Sequence, residues 1–325
     1  MKVLVLSGMY PTPDNPAKGI FVKEQVDSLR ELGVSVDVLP IKGKRGKLKY
    51  VYGMLQFLFA LRGKKYDLIH AHHVYCGVIA RLQPIYPVVL THHGMEVIGE
   101  GPLLSLLCRL LSRLVQGVIV TSPELYKAID LHDARVIPCG VDLNLFHPIS
   151  RCEARRTIGL SQSSTRYILF TGHFEGVPRR EKRLDIIQAA VNIAQENDPD
   201  IELLIISRVP HNMMPYYINA SNVVVMASDY EGSPMIIKET MACNIPIVSV
   251  RVGDVADVIS DTDGCYLCER TPGDMATKIG LALSRPLGRT NGREHIQHLS
   301  LQATADKLMN LYSRVVLGCS INGGQ

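Results

Sequence analysis

The stretch NVVVMASDYEGSPMIIKETMACNIPIVSV, residues 222 to 250, holds a strand, a turn, a helix and a second strand in one piece. Val223 to Met226 is a run of aliphatic residues with no polar alternation, the pattern of a strand buried on both faces. Ser233 suits an N-cap and Pro234 the first helical position, so a helix should start there and run to about Ala242. Pro246 then leads into IPIVSV, a second buried strand. Two buried strands joined through a helix form a parallel pair.

The same rhythm extends in both directions. Towards the C-terminal side of residue 149 it includes YILFTG, a helix over Leu184 to Gln195, and IELLIIS; a long pattern from about His298 to Val316 sets Leu308, Leu311, Tyr312 and Val315 on one face. Towards the N-terminus the order is KVLVLSG, a helix from about Gly19 to Leu32, SVDVLPI, a helix through Met54, LIHAH, VVLTHHG, a helix around Leu103 to Leu114, and GVIVTS. ARVIPCGVDLNLFHP, with Pro138, Gly140 and Pro148, interrupts the alternation and reads as the approach to a linker. The fold class is therefore α/β, with two doubly wound Rossmann-like domains facing a central cleft. The expected domains are residues 1–148 and 149–325, with the final helix free to pack back on the first. Neither contains a dinucleotide GxGxxG or a Walker GxxxxGK[ST], which removes most support for nicotinamide chemistry and ATP hydrolysis.

Composition narrows the class further. The chain has 325 residues and a formal net charge of +4, and 46% of it is hydrophobic, as in a globular protein. Met1-Lys2 runs straight into the apolar Val3 to Leu6, read as a strand rather than a signal peptide, and Val51 to Leu61 is far short of the roughly 20 residues a spanning helix needs. A cytoplasmic location is expected, with peripheral contact at the inner face of a membrane. Eight cysteines without regular spacing suit a reduced compartment, and Cys265 and Cys268, three apart on a strand, face opposite sides and cannot share a metal easily. The basic surplus is concentrated at Lys42, Lys44, Arg45, Lys47, Lys49, Arg62, Lys64 and Lys65, on either side of VYGMLQFLFAL and with no acid among them. Two readings stand for residues 42–65: an anionic membrane surface or phosphate-bearing acceptor, or a solvated loop beside a core helix. Nucleic acid is not expected, because the cluster lacks interleaved stacking aromatics.

Glu231 and Glu239 frame the helix start at Ser233. The first-turn amides, Met235 to Ile237, would be unpaired and would favour an anion, above all a phosphate. Glu239 lies about 9 Å further along the helix axis at 1.5 Å per residue, so it can reach another part of the same ligand. An anion between two acceptors of hydroxyl hydrogens fits a nucleoside diphosphate sugar. The spacing alone also fits a surface glutamate followed by a helix-face glutamate.

DYEGSPMIIKETMACNIPIV resembles the signature of retaining sugar-nucleotide glycosyltransferases of the GT-B fold, group 1, family 4. YPTPDNPAKGIFVKEQVDSLRELGVSV, VVLTHHGMEV and VIPCGVDLNLFHP are similar to further segments of that family, in the same order, with Cys139 where asparagine is usual. The resemblance implies that Glu231 contacts the transferred sugar, Glu239 the ribose hydroxyls, and His93 the donor sugar near the reacting face. It implies that the backbone of Gly19 approaches the diphosphate, and that Gly232, Ser233, Pro234, Met235 and Ile236 cradle it. Lys182 would neutralise the leaving group together with an arginine. At the usual arginine position this chain has His173, a poorer clamp when neutral, and Arg179, Arg180 or Arg183 can substitute from the same loop. A second departure is the short connection after IELLIIS, which alters the nucleotide-base pocket. His72 and Glu96 could serve the acceptor or the fold, and His92 alternates to the face opposite His93.

The resemblance also implies same-face attack, with the leaving phosphate helping to deprotonate the acceptor. No cofactor and no metal are expected: the donor is a UDP- or GDP-sugar, and Asp254, Asp257, Asp261 and Asp263 follow the donor helix rather than forming a metal-binding pair beside it. The acceptor would be a glycan, a lipid-linked molecule or a small molecule. The alternatives are a sugar-nucleotide epimerase or phosphorylase of the same fold, or a non-enzymatic carbohydrate- or membrane-binding relative.

Overall fold

The computed structural model describes the chain apart from residues 14, 16–17, 42–47, 163, 175–176, 286–287 and 323–325, and the side chains of 48–50, 173–174, 177–178 and 319–322. The backbone divides into two compact units, Met1–Gly140 with Leu301–Gln325, and Val141–Ser300.

The first unit is built on six parallel strands, β1 (Lys2–Ser7), β2 (Ser35–Pro40), β3 (Leu68–His72), β4 (Val88–His92), β5 (Gly117–Val120) and β6 (Arg135–Val136), in the order β2-β1-β3-β4-β5-β6. Alternation along each strand separates two cores. Leu4, Leu6, Ile69, Ala71, Leu90 and Val118 pack beneath the helices α2 (Leu48–Ala60), α3 (Val74–Ala80), α4 (Pro102–Ser112) and α5 (Pro123–Ile129). Val3, Val5, Leu68, Val89 and Ile119 face the other way, against α1 (Ile20–Glu31) and the C-terminal helix Leu301–Asn322. With helices on both faces, β3, β4 and β5 are buried throughout, which is why they read as unbroken apolar runs. The helices α3 and α5 were not expected. Each has seven residues, too few for a clear helical period, although α5 has a readable start in Ser122, whose Oγ accepts from the Leu125 amide.

The second unit has the parallel order β12-β11-β10-β7-β9, with β7 (Arg166–Phe174), β9 (Ile201–Ser207), β10 (Val223–Met226), β11 (Ile247–Val250) and β12 (Cys265–Cys268); the short β8 (Val177–Pro178) folds back antiparallel on the end of β7. Its helices are α6 (Arg151–Thr157), α7 (Leu184–Asn197), α8 (Met214–Ala220), α9 (Met235–Ala242), α10 (Val255–Ile259), α11 (Pro272–Leu283) and α12 (Gly292–His295). The stretch after β9, where the connection looked too short for an ordinary base pocket, forms a single turn at His211–Met213 and α8.

The boundary between units falls at 140/141, not 148/149, and side chains explain it. Arg293 donates to the carbonyls of Leu143 and Phe146, Arg289 to that of Ile149, and Asn219 Nδ2 to that of His147. These bonds tie residues 143–149 to the second unit. At the other end the chain returns to the first unit at Leu301, and Leu308, Leu311, Tyr312 and Val315 of that last helix, α13 (Leu301–Asn322), complete its core. Among the described residues no helix is long and apolar enough to cross a membrane.

Candidate active site

In the second unit, β10 leads through Ser228 and Asp229 to Glu231, and α9 begins at Met235 with Pro234 as its cap residue. The helix thus starts one residue later than its Ser-Pro signal suggested. Pro234 has no side-chain acceptor, and the Ile237 amide is taken by the Pro234 carbonyl at 3.3 Å, so among the described residues the open first-turn amides are those of half-buried Met235 and Ile236 rather than three. The Ser233 hydroxyl donates to Asp254 Oδ2 at 2.7 Å, and Lys238 Nζ donates to the same oxygen at 2.7 Å and to Ser233 Oγ. Lys238 and Asp254 are both buried. This triad welds the start of α9 to the loop before α10.

Gly253 belongs to the same weld. Its φ is +57°, and a Cβ there would stand 2.5 Å from the Gly232 carbonyl oxygen. Only glycine lets the 252–254 loop lie against the Glu231-Gly232 turn.

Lys182 closes the three-residue turn Arg180–Lys182 ahead of α7, and its Nζ bonds Glu231 Oε1. The two residues assigned to the leaving group and the sugar are therefore in contact, joined across 49 positions of sequence. Glu239 lies on α9, only 4% exposed. The loop arginines are engaged locally: Arg179 with Glu181, and Arg183 with Asp185 at 2.9 Å and Asp229 at 3.3 Å. The Asp229 amide also donates to the Glu181 carbonyl at 2.8 Å, which binds the Lys182 turn to the glutamate loop. Of His173 the backbone alone is described, at the end of β7 facing Pro178; its side chain lies outside the described residues.

In the first unit, the C-terminal ends of β3 and β4 gather histidines. His70 is held between Tyr312 Oη at 2.6 Å and Thr91 Oγ1 at 2.7 Å. His72 Nδ1 meets His93 Nε2 at 3.1 Å, with the rings stacked. Phe21, two residues past Gly19 at the start of α1, packs on the His93 ring at 5.0 Å between centroids. The expected Gly19 loop and His93 are thus neighbours. Gly19 has φ +64°, and a Cβ would stand 2.4 Å from the Met9 carbonyl oxygen, so close backbone packing accounts for glycine at this position. His92 turns the other way to Ser112 Oγ at 2.9 Å. Glu96 is buried and accepts from the His93 amide at 2.9 Å, with His92 and His73 close by; burial opposes its ionisation, yet the surrounding imidazoles hold its carboxyl well below the usual range.

Burial pushes His70 down to about 3 and His93 to about 4, and His72 down as well. His93 is thus a neutral imidazole at neutral pH, able to donate or accept a hydrogen bond but not to act as a fixed cation. The sign of the stability effect follows. An unfolded histidine binds a proton near 6.5 and these folded ones do not, so stability falls as pH drops from about 6.5 towards about 4. Urea midpoints for the first unit should decline across that window and level off above it. A flat profile would mean that these rings are protonated in the fold.

The Glycosyltransferase Family 4 model matches residues 2–145, and the Glycosyl transferases group 1 model matches residues 207–285. The chain belongs to the group 1, family 4 glycosyltransferases. A D-inositol 3-phosphate glycosyltransferase from Nocardiopsis dassonvillei is 24% identical over 81% of this chain and 74% of its own length. An N-acetyl-alpha-D-glucosaminyl L-malate synthase from Bacillus anthracis is 23% identical over 77% of this chain and 74% of its own. Among solved structures, sucrose-phosphate synthase from Thermosynechococcus elongatus superposes with a TM-score of 0.79 at 21% identity, covering 98% of this chain and all of that one. Anabaena HepE in complex with UDP and glucose gives 0.73 at 16% identity, over 96% and 99%. This glycosyltransferase shares the two-domain GT-B fold with those structures.

Sequence reasoning did not find Lys238, Asp254 or Tyr312 as parts of these sites. A signal existed for the first: Lys238 is the one basic residue within the largely apolar helix start MIIKETMA. Asp254 was read only as part of an unlikely metal pair, and Tyr312 only as a core position. Among the described residues no group of three His, Cys, Asp or Glu side chains is arranged to hold a metal.

Proposed function

We propose that the enzyme transfers a hexose from a nucleoside diphosphate sugar to an acceptor hydroxyl with retention of configuration and without a metal ion. The observation that carries this reading is the contact of Lys182 with Glu231 beside the start of α9. In the proposed complex the Met235 and Ile236 amides and Lys182 receive the diphosphate, which offsets its charge without a divalent cation. Glu231 accepts from hydroxyls of the transferred sugar and Glu239 from the ribose. His93, assigned to the donor sugar by the family resemblance, acts as a neutral hydrogen-bond partner. Transfer is then mostly positioning and stabilisation of charge on the departing phosphate. HepE crystallised with UDP-glucose makes a UDP-sugar the first donor to try. The acceptor class that fits is a glycan, a lipid-linked molecule or a small hydroxylated molecule. The proposed location is cytoplasmic, with residues 42–65, of which 42–47 lie outside the described residues, contacting anionic lipid headgroups.

Incubating the enzyme with UDP-hexoses and candidate acceptors, with and without EDTA, tests the proposal when products are read by NMR. Retained anomeric configuration and undiminished turnover in EDTA are expected. An inverted product, turnover restored only by a divalent ion, or donor interconversion without acceptor would overturn it.

Glu239→Ala should raise the Kd for UDP by about 10- to 100-fold, as expected when a charge-assisted hydrogen bond is removed. Because the ribose contact is equally strong before and during transfer, kcat at saturating donor should change little. Calorimetry with UDP and a saturating rate measurement separate the two effects, and an unchanged Kd removes Glu239 from the ribose.

A further inference from the structure

The helices α2, α3 and α4 form one layer on a single face of the first sheet, with α3 packed against both others. Their outward sides are apolar. On α2, Val51, Leu55 and Phe59 repeat at helical spacing and are 57%, 59% and 71% exposed. Leu103 and Leu110 stand seven apart on α4 at 84% and 49%, and Leu82, just past α3, is 48% exposed. Single exposed aliphatics are ordinary, but a three-residue stripe on α2 together with exposed leucines on and beside the other helices of the layer is not.

The charge around this face is predominantly positive. Across residues 48–116 the acids are Asp67, Glu96 and Glu100, and Glu96 is buried; seven lysines and arginines lie in the same span. Arg62 and Lys65 follow α2 and Arg113 follows α4, all exposed. A second copy of the chain seated on this face by two-fold symmetry would bring like charges together. An anionic bilayer would take the apolar stripes among its acyl chains while the basic side chains reach headgroup phosphates.

We infer that the outer face of α2, α3 and α4 inserts shallowly into an anionic lipid bilayer. This goes beyond headgroup contact by the basic stretch 42–65, because contact of that kind is lost at high salt whereas apolar insertion persists. The full chain should co-sediment with phosphatidylcholine vesicles containing about 30% phosphatidylglycerol, and a substantial fraction should stay bound in about 0.5 M NaCl. The double variant Phe59→Asp, Leu103→Asp should partition at least about tenfold less. It should melt like the parent, because both side chains are solvent-exposed. Leu281→Asp, at an exposed position of α11 in the other unit, should partition as the parent does.

Three results would overturn the inference: no binding at low salt, complete release by salt with the double variant binding like the parent, or a parent dimer that the double variant converts to monomer. Vesicle partition requires no donor, so its failure is separate from any failure of the glycosyl-transfer reading.

Discussion

Lys182→Ala should lower kcat by about two to three orders of magnitude, the usual cost of removing a group that stabilises developing negative charge. The argument is geometric. Lys182 is held at the end of a short turn, its amide bonded to the Arg179 carbonyl at 3.0 Å, and its ammonium group is fixed on Glu231. A point charge so placed needs little reorganisation when a phosphate leaves beside the sugar. Arg179 and Arg183 are drawn towards Glu181, Asp185 and Asp229, whereas Lys182 is in contact with the sugar-assigned carboxylate. Lys182→Arg should recover part of the rate, since charge is retained and reach is altered. Single-turnover rates with saturating donor check this. If kcat falls less than about fivefold while stability drops, Lys182 is a tether for Glu231 and not a clamp on the leaving group.

Lys238→Met should destabilise the second unit by about 3–5 kcal/mol, because it leaves Asp254 buried without its counter-ion. For a unit of this size the loss corresponds to a melting temperature lower by roughly 10 °C. Lys238 has no exposed surface and Asp254 only 2%, so water cannot replace the missing partner. The double variant Lys238→Met, Asp254→Leu should recover most of the stability, since replacing both charges of a buried pair by apolar groups is often neutral. It should not recover donor affinity. Ser233 would lose both of its partners in the triad, and the α9 start would no longer be fixed to the Gly253 loop. Urea unfolding and UDP calorimetry on the three proteins decide the matter. If the double variant binds UDP as the parent does, the triad serves the fold alone.

Particular residues show how far the sequence could be read. The βαβ pattern of residues 222–250 was legible because strand burial and the Ser-Pro helix start are written locally, within a few residues. The helix start was still placed one residue early, since Ser233 turns to Asp254 instead of capping its own helix. Lys238 is fully buried, because α9 is enclosed on that side as well. The boundary was drawn at Pro148 on composition, and the arginines that move it to Gly140 lie some 140 to 150 positions further along.

Taken by itself, the sequence determined the alternation of buried strands and helices, the two α/β units and the pairing of Glu231 with Glu239 at a helix start, because periodicity and spacing act over one or two turns of chain. The tertiary structure alone decided the Lys238–Asp254–Ser233 triad, the Lys182–Glu231 contact and the insertion of Tyr312 beneath His70, 242 positions away. Such contacts are selected by packing and by the need to pair polar groups withdrawn from water. They leave no periodic trace in the chain that makes them.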